Sequence, residues 1–380
     1  MMKRILRTLL VVVTSLIPAR LLAQFTLVKG ENTFEIGGDL LTLYNYKFYQ
    51  PDEDTRHKNA FDLDRARIDI KGRQGNWMRY HFQFDFAALL STPGSTDVPD
   101  ALNDAYVEFN AKYLYIRTGY TKVPYSFNSL VGETDDAFMQ RATVIGGDVF
   151  ARRDLGVTLI KNLPQFGLNF YGGVYTGMGT QSLIGQDDPS GKLEYIGRVE
   201  YSYPAKYNED IIDWRISPVP IFEAGVNARY AEKDLTSGAN YSLLTIDGQK
   251  TSYGFDASVM YKGFSFQLES HQLHIVPRDS TRLISEGNTY SYFRAGGYLA
   301  QINYYLKPIK SVFAVRYDEF NPTDLTWGDT ERTVAFAYDY MFKQNFACIK
   351  LQYEHHLPLE SANIIWKDDE IRLGLQFIFN

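Results

Sequence analysis

Charged side chains that could bind small ions recur at every second position of three consecutive segments. In the first segment they alternate with Ala66, Ile68 and Ile70. Successive side chains of a β-strand point to opposite faces, so the charged residues of each segment share one face. Basic groups in a narrow, partly dehydrated passage replace the water around an anion and set ion selectivity. The candidate ion-binding residues on these faces are Arg65, Arg67, Lys71, Arg79, Asp85, Asp104 and Glu108.

The same faces also have a structural interpretation. Arg65, Arg67, Asp85, Asp104 and Glu108 could neutralise one another in a lattice of ion pairs that stiffens a wall. The formal net charge of the chain is −6, and removal of an N-terminal export signal with four basic residues would change it to −10. A negative chain argues against a strong anion filter, although much of this charge could lie on loops away from the ion path.

Other residue types do not form a convincing reactive site. Cys348, the only cysteine, lies inside an alternating segment and fits simple packing. Histidines one or three positions apart on a strand point to opposite faces, so neither His271 with His274 nor the 355–356 pair suits a metal ion. Ser270 and His271 also point apart, and no acid is placed to orient the histidine. We therefore expect no catalytic residue, metal site or cofactor.

The charged faces belong to segments with the period of β-strands. In WMRYHFQFDFAA, residues 77–88, Tyr80, Phe82 and Phe84 share one parity, while Arg79 and His81 share the other. One such strand also fits a soluble sheet with a buried face. However, the pattern returns along the whole chain in segments of about ten residues, which is typical of transmembrane β-strands. Aromatic residues make up 15% of the chain, as expected for strands with aromatic girdles at the membrane interfaces.

The pattern predicts sixteen strands. Their approximate ranges are 33–49, 61–73, 77–88, 101–110, 113–123, 153–162, 167–177, 192–203, 220–232, 251–262, 264–275, 294–307, 311–321, 331–342, 345–356 and 367–379. Tight links alternate with long ones rich in Asp, Gly, Ser and Pro, as in outer-membrane barrels with short periplasmic turns and long extracellular loops. One link, 204–220, is long where a short turn is due, so it holds either a periplasmic segment or an unrecognised hairpin.

These strands predict an all-β fold, a transmembrane antiparallel β-barrel. In a bilayer each backbone amide needs an internal partner, so the sheet must close on itself. Its apolar face then contacts lipid, and its polar face lines a lumen that is wide enough for water. Residues 1–23 have a basic start, an apolar run and a small residue at Ala23, which indicates a cleaved signal peptide. We expect a short N-terminal lead at 24–32 and the barrel at 33–380.

Several motifs in residues 61–160 are similar to those of a known family. FDLDRARIDIKGRQGNW, YHFQFDFA, LNDAYVEF, TGYTKVPYSFNSL, DDAFMQRA and RRDLGVTL follow one another in order and spacing that resemble the phosphate-selective porin O and P family, in the form common in Bacteroidetes. The resemblance implies a sixteen-stranded outer-membrane porin, usually a homotrimer, whose third loop folds inward to narrow the pore. Here that loop is 124–152, the longest predicted connection.

The resemblance adds three basic candidates in the third loop, Arg141, Arg152 and Arg153, which face acidic residues of the same loop. Arg141 alone lies in a matching family motif, FMQRA. We expect passive diffusion of small hydrophilic solutes with a possible anion preference. A selective phosphate or polyphosphate channel and a plugged barrel that binds a partner at the cell surface remain alternatives.

The expected partners follow from this interpretation. They are outer-membrane lipid, small anions or other solutes, two further copies of the chain, and the barrel-assembly machinery. The last would recognise the C-terminal strand through Phe377 and Phe379, although Asn380 stands where an aromatic residue usually closes such chains. Neither an enzymatic activity nor a nucleic-acid partner is expected.

Overall fold

The computed structural model describes residues 25–48, 59–90, 101–145, 151–184, 191–204, 210–234, 243, 246–279, 284–285, 288–343, 346–357 and 369–379. The predicted signal peptide at 1–23 lies outside the described residues. Of the helices within these ranges, none is long and apolar enough to cross a membrane. Antiparallel strands account for most of the described chain.

Sixteen of the described strands form a closed antiparallel ring, which confirms the predicted fold and strand number. The strands are β1 (Phe25–Lys29), β2 (Asn32–Lys47), β3 (Asn59–Gln74), β4 (Met78–Asp85), β5 (Leu102–Asn110), β6 (Tyr115–Lys122), β7 (Arg153–Leu163), β8 (Leu168–Tyr175), β9 (Glu194–Tyr203), β10 (Ile221–Lys233), β11 (Gly248–Tyr261), β12 (Phe264–Pro277), β13 (Ile284–Ser285), β14 (Asn288–Thr289), β15 (Phe293–Leu306), β16 (Ser311–Asn321), β17 (Glu331–Met341), β18 (Ala347–His356) and β19 (Glu370–Phe379). β1, β13 and β14 lie outside the ring. The ring closes where β19 pairs with β2, from Glu370 opposite Lys47 to Phe379 opposite Gly38.

The predicted N-terminal lead contains a strand of its own. β1 pairs with the first residues of β2, from Lys29 opposite Asn32 to Phe25 opposite Ile36. β19 pairs with the same edge of β2 only from Gly38 onward. β1 therefore pairs with the N-terminal part of this edge, which β19 does not reach. This short hairpin satisfies backbone groups that would otherwise form an open edge.

Side chains alternate between the two faces of the ring as the sequence predicts. β9 has strictly alternating buried and exposed residues, and Phe82 and Phe84 of β4 are exposed on the outer face. β4 ends at Asp85, earlier than expected, and a short helix α1 (Phe86–Leu90) follows. The carboxylate of Asp85 accepts the backbone N–H of Ala87 over 3.1 Å, which favours a turn at this point.

A bulge in β3 shifts the alternation of its side chains by one residue. Leu41 lies opposite Arg65 whereas Thr42 lies opposite Leu63, so Asp64 is the extra residue of this pair of strands. A bulge places two successive residues against one and bends the strand locally. Asp64 is thereby brought beside Arg65, with 3.5 Å between the carboxylate and Nε of Arg65. Simple alternation does not predict this contact.

The tight links are turns of a few residues, and some need a left-handed backbone. Gly263, between β11 and β12, has φ of +85°. A Cβ at Gly263 would lie 2.7 Å from the carbonyl oxygen of Tyr305, so glycine is required by both conformation and space. The unusually long link at 204–220 is described from residue 210 onward, and part of it enters the barrel, as detailed below.

Candidate functional site at the lumenal constriction

Residues 124–145 of the third loop extend into the lumen and are hydrogen-bonded to the far wall. Ser126 Oγ donates to the carboxylate of Glu269 on β12 over 2.7 Å. The backbone N–H of Met139 donates to the side chain of Gln352 on β18 over 2.8 Å. Further cross-lumen hydrogen bonds join loop residues Thr134, Asp136, Gln140 and Thr143 to wall residues Gln376, Gln301, Arg316 and Asp318, respectively. The described part of the loop therefore occupies part of the lumen.

A single helical turn organises the start of this loop. Ser126 caps helix α2 (Phe127–Leu130), because its Oγ accepts the backbone N–H of Ser129 over 3.0 Å. At the other end, Nζ of Lys122 donates to the carbonyl of Leu130 over 2.6 Å. Cations favour the C-terminal end of a helix, where carbonyl groups lack partners within the helix. The Lys122 side chain thus ties the last residue of β6 to the loop.

Glu133 of the third loop lies among three guanidinium groups. Its carboxylate is 2.5 Å from Nη2 of Arg67 on β3, 3.0 Å from Nη1 of Arg152 and 3.4 Å from Nε of Arg141. Burial alone would raise the pKa of Glu133, but the charges of these arginines outweigh burial and hold that pKa well below its usual value. The Glu133 cluster, defined by these four residues, joins the barrel wall to the interior and to the C-terminal end of the loop.

Arg141 has a second set of acceptors within the third loop. Its guanidinium donates to the backbone carbonyl and to Oδ1 of Asn128, the latter over 2.6 Å. It also donates to the carbonyl of Val131 over 2.8 Å. A planar guanidinium with several fixed donors suits such a role better than a lysine. Arg141 therefore holds the loop together as well as contributing positive charge to the Glu133 cluster.

The neighbouring wall residues form the ion-pair lattice that the sequence left as one alternative, with partly different partners. Arg67 pairs with Asp85 over 2.9 Å, as that interpretation expected. Nη2 of Arg65 instead donates to Gln376 of β19 over 3.2 Å, in addition to its contact with Asp64. Two further pairs involve residues outside that interpretation: Asp104 with Arg153 at 3.2 Å and Glu108 with Arg117 at 2.7 Å. Arg153 was expected in the third loop but is the first residue of β7.

Two candidates lie apart from the Glu133 cluster, near the tight turn that joins β3 and β4. Nζ of Lys71 is 3.7 Å from Asp69, and Nη1 of Arg79 is 3.9 Å from Glu108. The Arg79 side chain is 67% exposed. At these distances and exposures an ion pair contributes little to stability. Lys71 and Arg79 line the same face as the cluster without joining it.

The similarity of this chain to known proteins agrees with its architecture. The family model of phosphate-selective porin O and P matches residues 34–353. The chain belongs to this family. It is therefore a porin of the bacterial outer membrane, a channel for small hydrophilic solutes, and both family and fold indicate a channel rather than an enzyme. No curated protein sequence matches it significantly.

Solved structures share the fold of this porin at low sequence identity. An anion-selective porin from Comamonas acidovorans superposes with a TM-score of 0.60 at 11% identity, covering 92% of this chain and 100% of the other. The outer-membrane channel DcaP of Acinetobacter baumannii gives 0.60 at 12% identity, covering 94% and 100%. OmpT of Vibrio cholerae, in a form described as a trimer, gives 0.56 at 9%, covering 91% and 99%.

Some lumenal residues of the porin were not identified from the sequence. Arg117 lies directly opposite Glu108 in the β5–β6 hairpin and stacks over the ring of Tyr106 at 4.6 Å. Continuing the alternation along β6 would have identified it. Asp64 depends on the bulge, and the central position of Glu133 depends on how the loop folds. Neither feature has a local sequence signal.

The wall formed by β9 to β11 carries its own buried ion pairs. Nη2 of Arg198 lies 2.8 Å from Asp256 and 3.1 Å from Glu200, and the Arg198 side chain is fully buried. Arg229 and Glu194 make a two-bonded pair at 2.7 and 2.8 Å. Each of these guanidinium groups has at least one carboxylate as a close partner. Glu133, by contrast, is shared by three guanidinium groups.

Proposed function

We propose that this porin is a passive channel with a modest preference for anions, set where the third loop meets β3. The observation that carries the proposal is the balance of charge in the Glu133 cluster. Its three guanidinium groups make direct ion pairs with two carboxylates, Glu133 and Asp85, so these five side chains together carry one net positive charge. In a narrow space with a low effective dielectric, such an excess attracts anions and repels cations more strongly than in bulk water.

The pairing of these arginines explains why the preference is modest. An anion in transit competes with Glu133, Asp85 and the loop carbonyls for the same guanidinium donors. Only part of the hydration shell of the anion is then replaced, whereas strong selectivity requires that the site replace most of it. The second candidate is a selective phosphate channel, for which the description of the family and the gathering of three arginines are the supporting observations.

Planar-bilayer recording of the refolded mature chain tests the proposal. In a salt gradient we expect the reversal potential to be displaced weakly toward the equilibrium potential of the anion. Low concentrations of phosphate should not block the chloride current. Arg141→Gln should reduce the displacement. Arg332→Gln is the matched control, because Arg332 pairs with Glu319 at the outer rim rather than inside the lumen. Block by phosphate would favour the selective channel, and a displacement toward the cation would refute an anion preference.

A plugged barrel that acts as a surface binding protein is the third candidate. Its supporting observation is the extensive bonding of the third loop to the far wall, for example by the Lys350 Nζ donation to the carbonyl of Asp136 over 2.7 Å. A barrel that inserts correctly but conducts no ions would favour this candidate over either channel.

We also propose that the porin forms a homotrimer in outer-membrane lipid and is inserted by the barrel-assembly machinery through β19. The trimeric form of V. cholerae OmpT supports the oligomer, and the exposed Phe377 near the end of β19 supports recognition of that strand. Native electrophoresis in mild detergent should show a single trimeric species, whereas a monomer would count against the oligomer. Phe377→Ser should slow assembly in cells, and an unchanged rate would count against recognition of this strand.

A further inference from the structure

Part of the long link between β9 and β10 enters the lumen from the periplasmic side. Its described residues 210–217, called here the inner segment, include Ile211 and Ile212, which are 2% and 0% exposed. Both belong to one apolar cluster with Phe127 and Phe138 of the third loop. The same cluster includes inward-facing wall residues such as Ala335, which places the two isoleucines inside the lumen. The inner segment therefore lies against the periplasmic side of the third loop.

The barrel wall is adapted to this contact. Ala314, Ala335, Ala337 and Cys348 face inward from β16, β17 and β18 and belong to the same apolar cluster. Barrels with a water-filled lumen carry polar side chains on that face. Small apolar residues at these positions leave room for a covering segment. Contact with that segment removes their apolar surface from water, which is stabilising. The pattern shows that this part of the wall is covered.

Specific hydrogen bonds anchor the inner segment. The buried carboxylate of Asp213 accepts the backbone N–H and the hydroxyl of Ser217, over 2.9 and 2.7 Å. It also accepts the backbone N–H of Gly263, over 2.8 Å, from the turn between β11 and β12. Trp214 packs edge-on to Tyr305 with ring centroids 5.2 Å apart. These contacts fix the segment to the rim of the barrel.

Backbone strain in the inner segment also indicates that its contacts fix its conformation. Ile216 has φ of +53°, a conformation that a β-branched residue rarely adopts. Such strain persists only where the surrounding contacts determine the conformation, and it is typical of functional positions. The geometry of the segment is therefore imposed by its burial and its anchors.

From these observations we infer that the inner segment is a second constriction, which supports the third loop from the periplasmic side and sets the upper size of solutes that pass. Ile211 and Ile212 hold the segment in this position, because both are buried in the apolar cluster between the third loop and the wall. Size exclusion here rests on packing and does not depend on the charge of the Glu133 cluster. The inference thus goes beyond the proposed anion preference and can be tested apart from it.

The single cysteine makes a direct experiment possible. Cys348 is 1% exposed and lies on the part of the wall that the inner segment covers. In the refolded full-length mature chain, the Ile211→Ser and Ile212→Ser double variant should raise single-channel conductance and the uptake of larger sugars in liposome swelling severalfold. Alkylation of Cys348 by a water-soluble maleimide should accelerate in parallel. Val219→Ser is the matched control, because Val219 lies in the same link but is 54% exposed.

A second variant guards against loss of folding. Asp213→Asn weakens the anchor without removing apolar bulk, and it should change conductance and labelling in the same direction but less. Barrel formation is checked by heat-modifiable migration on gels. Unchanged conductance, sugar uptake and Cys348 labelling in a folded double variant would overturn the inference. A failed anion preference would appear only in the reversal potential of the unmodified chain, so the two proposals fail separately.

Discussion

Arg67 on the barrel wall and Glu133 in the third loop lie 2.5 Å apart, between Nη2 and Oε2. This ion pair joins the wall of the barrel to the loop that narrows it. Arg141 and Arg152 approach the same carboxylate from within the loop. The attachment of the loop to β3 and the local charge thus depend on one acidic residue.

Acid should leave the constriction intact until well below the usual titration range of a glutamate. The arginines lower the pKa of Glu133 in the folded state. A lowered folded pKa contributes stability that is present above the unfolded pKa and is lost as the pH falls through the folded pKa. The difference in selectivity between the unmodified chain and Glu133→Gln should therefore be constant from pH 7 down to about 4.5. Loss of that difference over this range would show that Glu133 titrates normally.

Charged substitutions should prevent assembly on the outer face of β4 but should be tolerated on its inner face. Phe82 is exposed toward lipid, whereas the neighbouring Gln83 donates to Asp69 inside the lumen over 2.9 Å. Phe82→Arg should cost about 2 to 4 kcal/mol in the bilayer and prevent assembly, because the membrane core does not solvate the charge. Gln83→Arg should assemble. Equal folding yields for the two variants in liposomes would contradict the assigned faces.

The buried pair on the β9 wall should matter far more than an exposed pair near the rim. Arg198→Met leaves Asp256 and Glu200 buried without their cation, which should lower the free energy of unfolding by about 3 to 5 kcal/mol. Lys192→Met, which removes a partly exposed pair with Glu232, should change it far less. Urea unfolding followed by tryptophan fluorescence measures both. Adding Asp256→Leu to Arg198→Met should recover part of the lost stability. Similar losses in Arg198→Met and Lys192→Met would be inconsistent with a buried pair on the β9 wall.

Most of the barrel could be predicted from the sequence because it depends on local rules. The two-residue period identifies each strand and its lipid face, as in β4 and β9, and the tight turns fix the order of the hairpins. The bulge at Asp64 and the early end of β4 at Asp85 shift the pattern by one or a few residues. Alternation alone carries no information about such shifts.

Contacts across the lumen could not be predicted, because they form only when the ring closes. Glu133 and Arg67 are distant in sequence, and nothing near Glu133 identifies its partners. The strand β1 is another such case, since it is stabilised by the edge that β19 leaves open on β2. The length of the link at 204–220 did signal an unusual segment, and its pair of isoleucines agrees with the buried position that the structure shows.

The most direct test of the account is to change the two partners of one ion pair and read the reversal potential in the same salt gradient. Glu133→Gln removes the shared carboxylate, so the displacement toward the anion should increase. Arg67→Gln removes positive charge at the same place, so the displacement should decrease. Shifts of opposite sign are the predicted result. Shifts of the same sign, or none in either variant, would contradict the claim that the Glu133 cluster sets the selectivity of this porin.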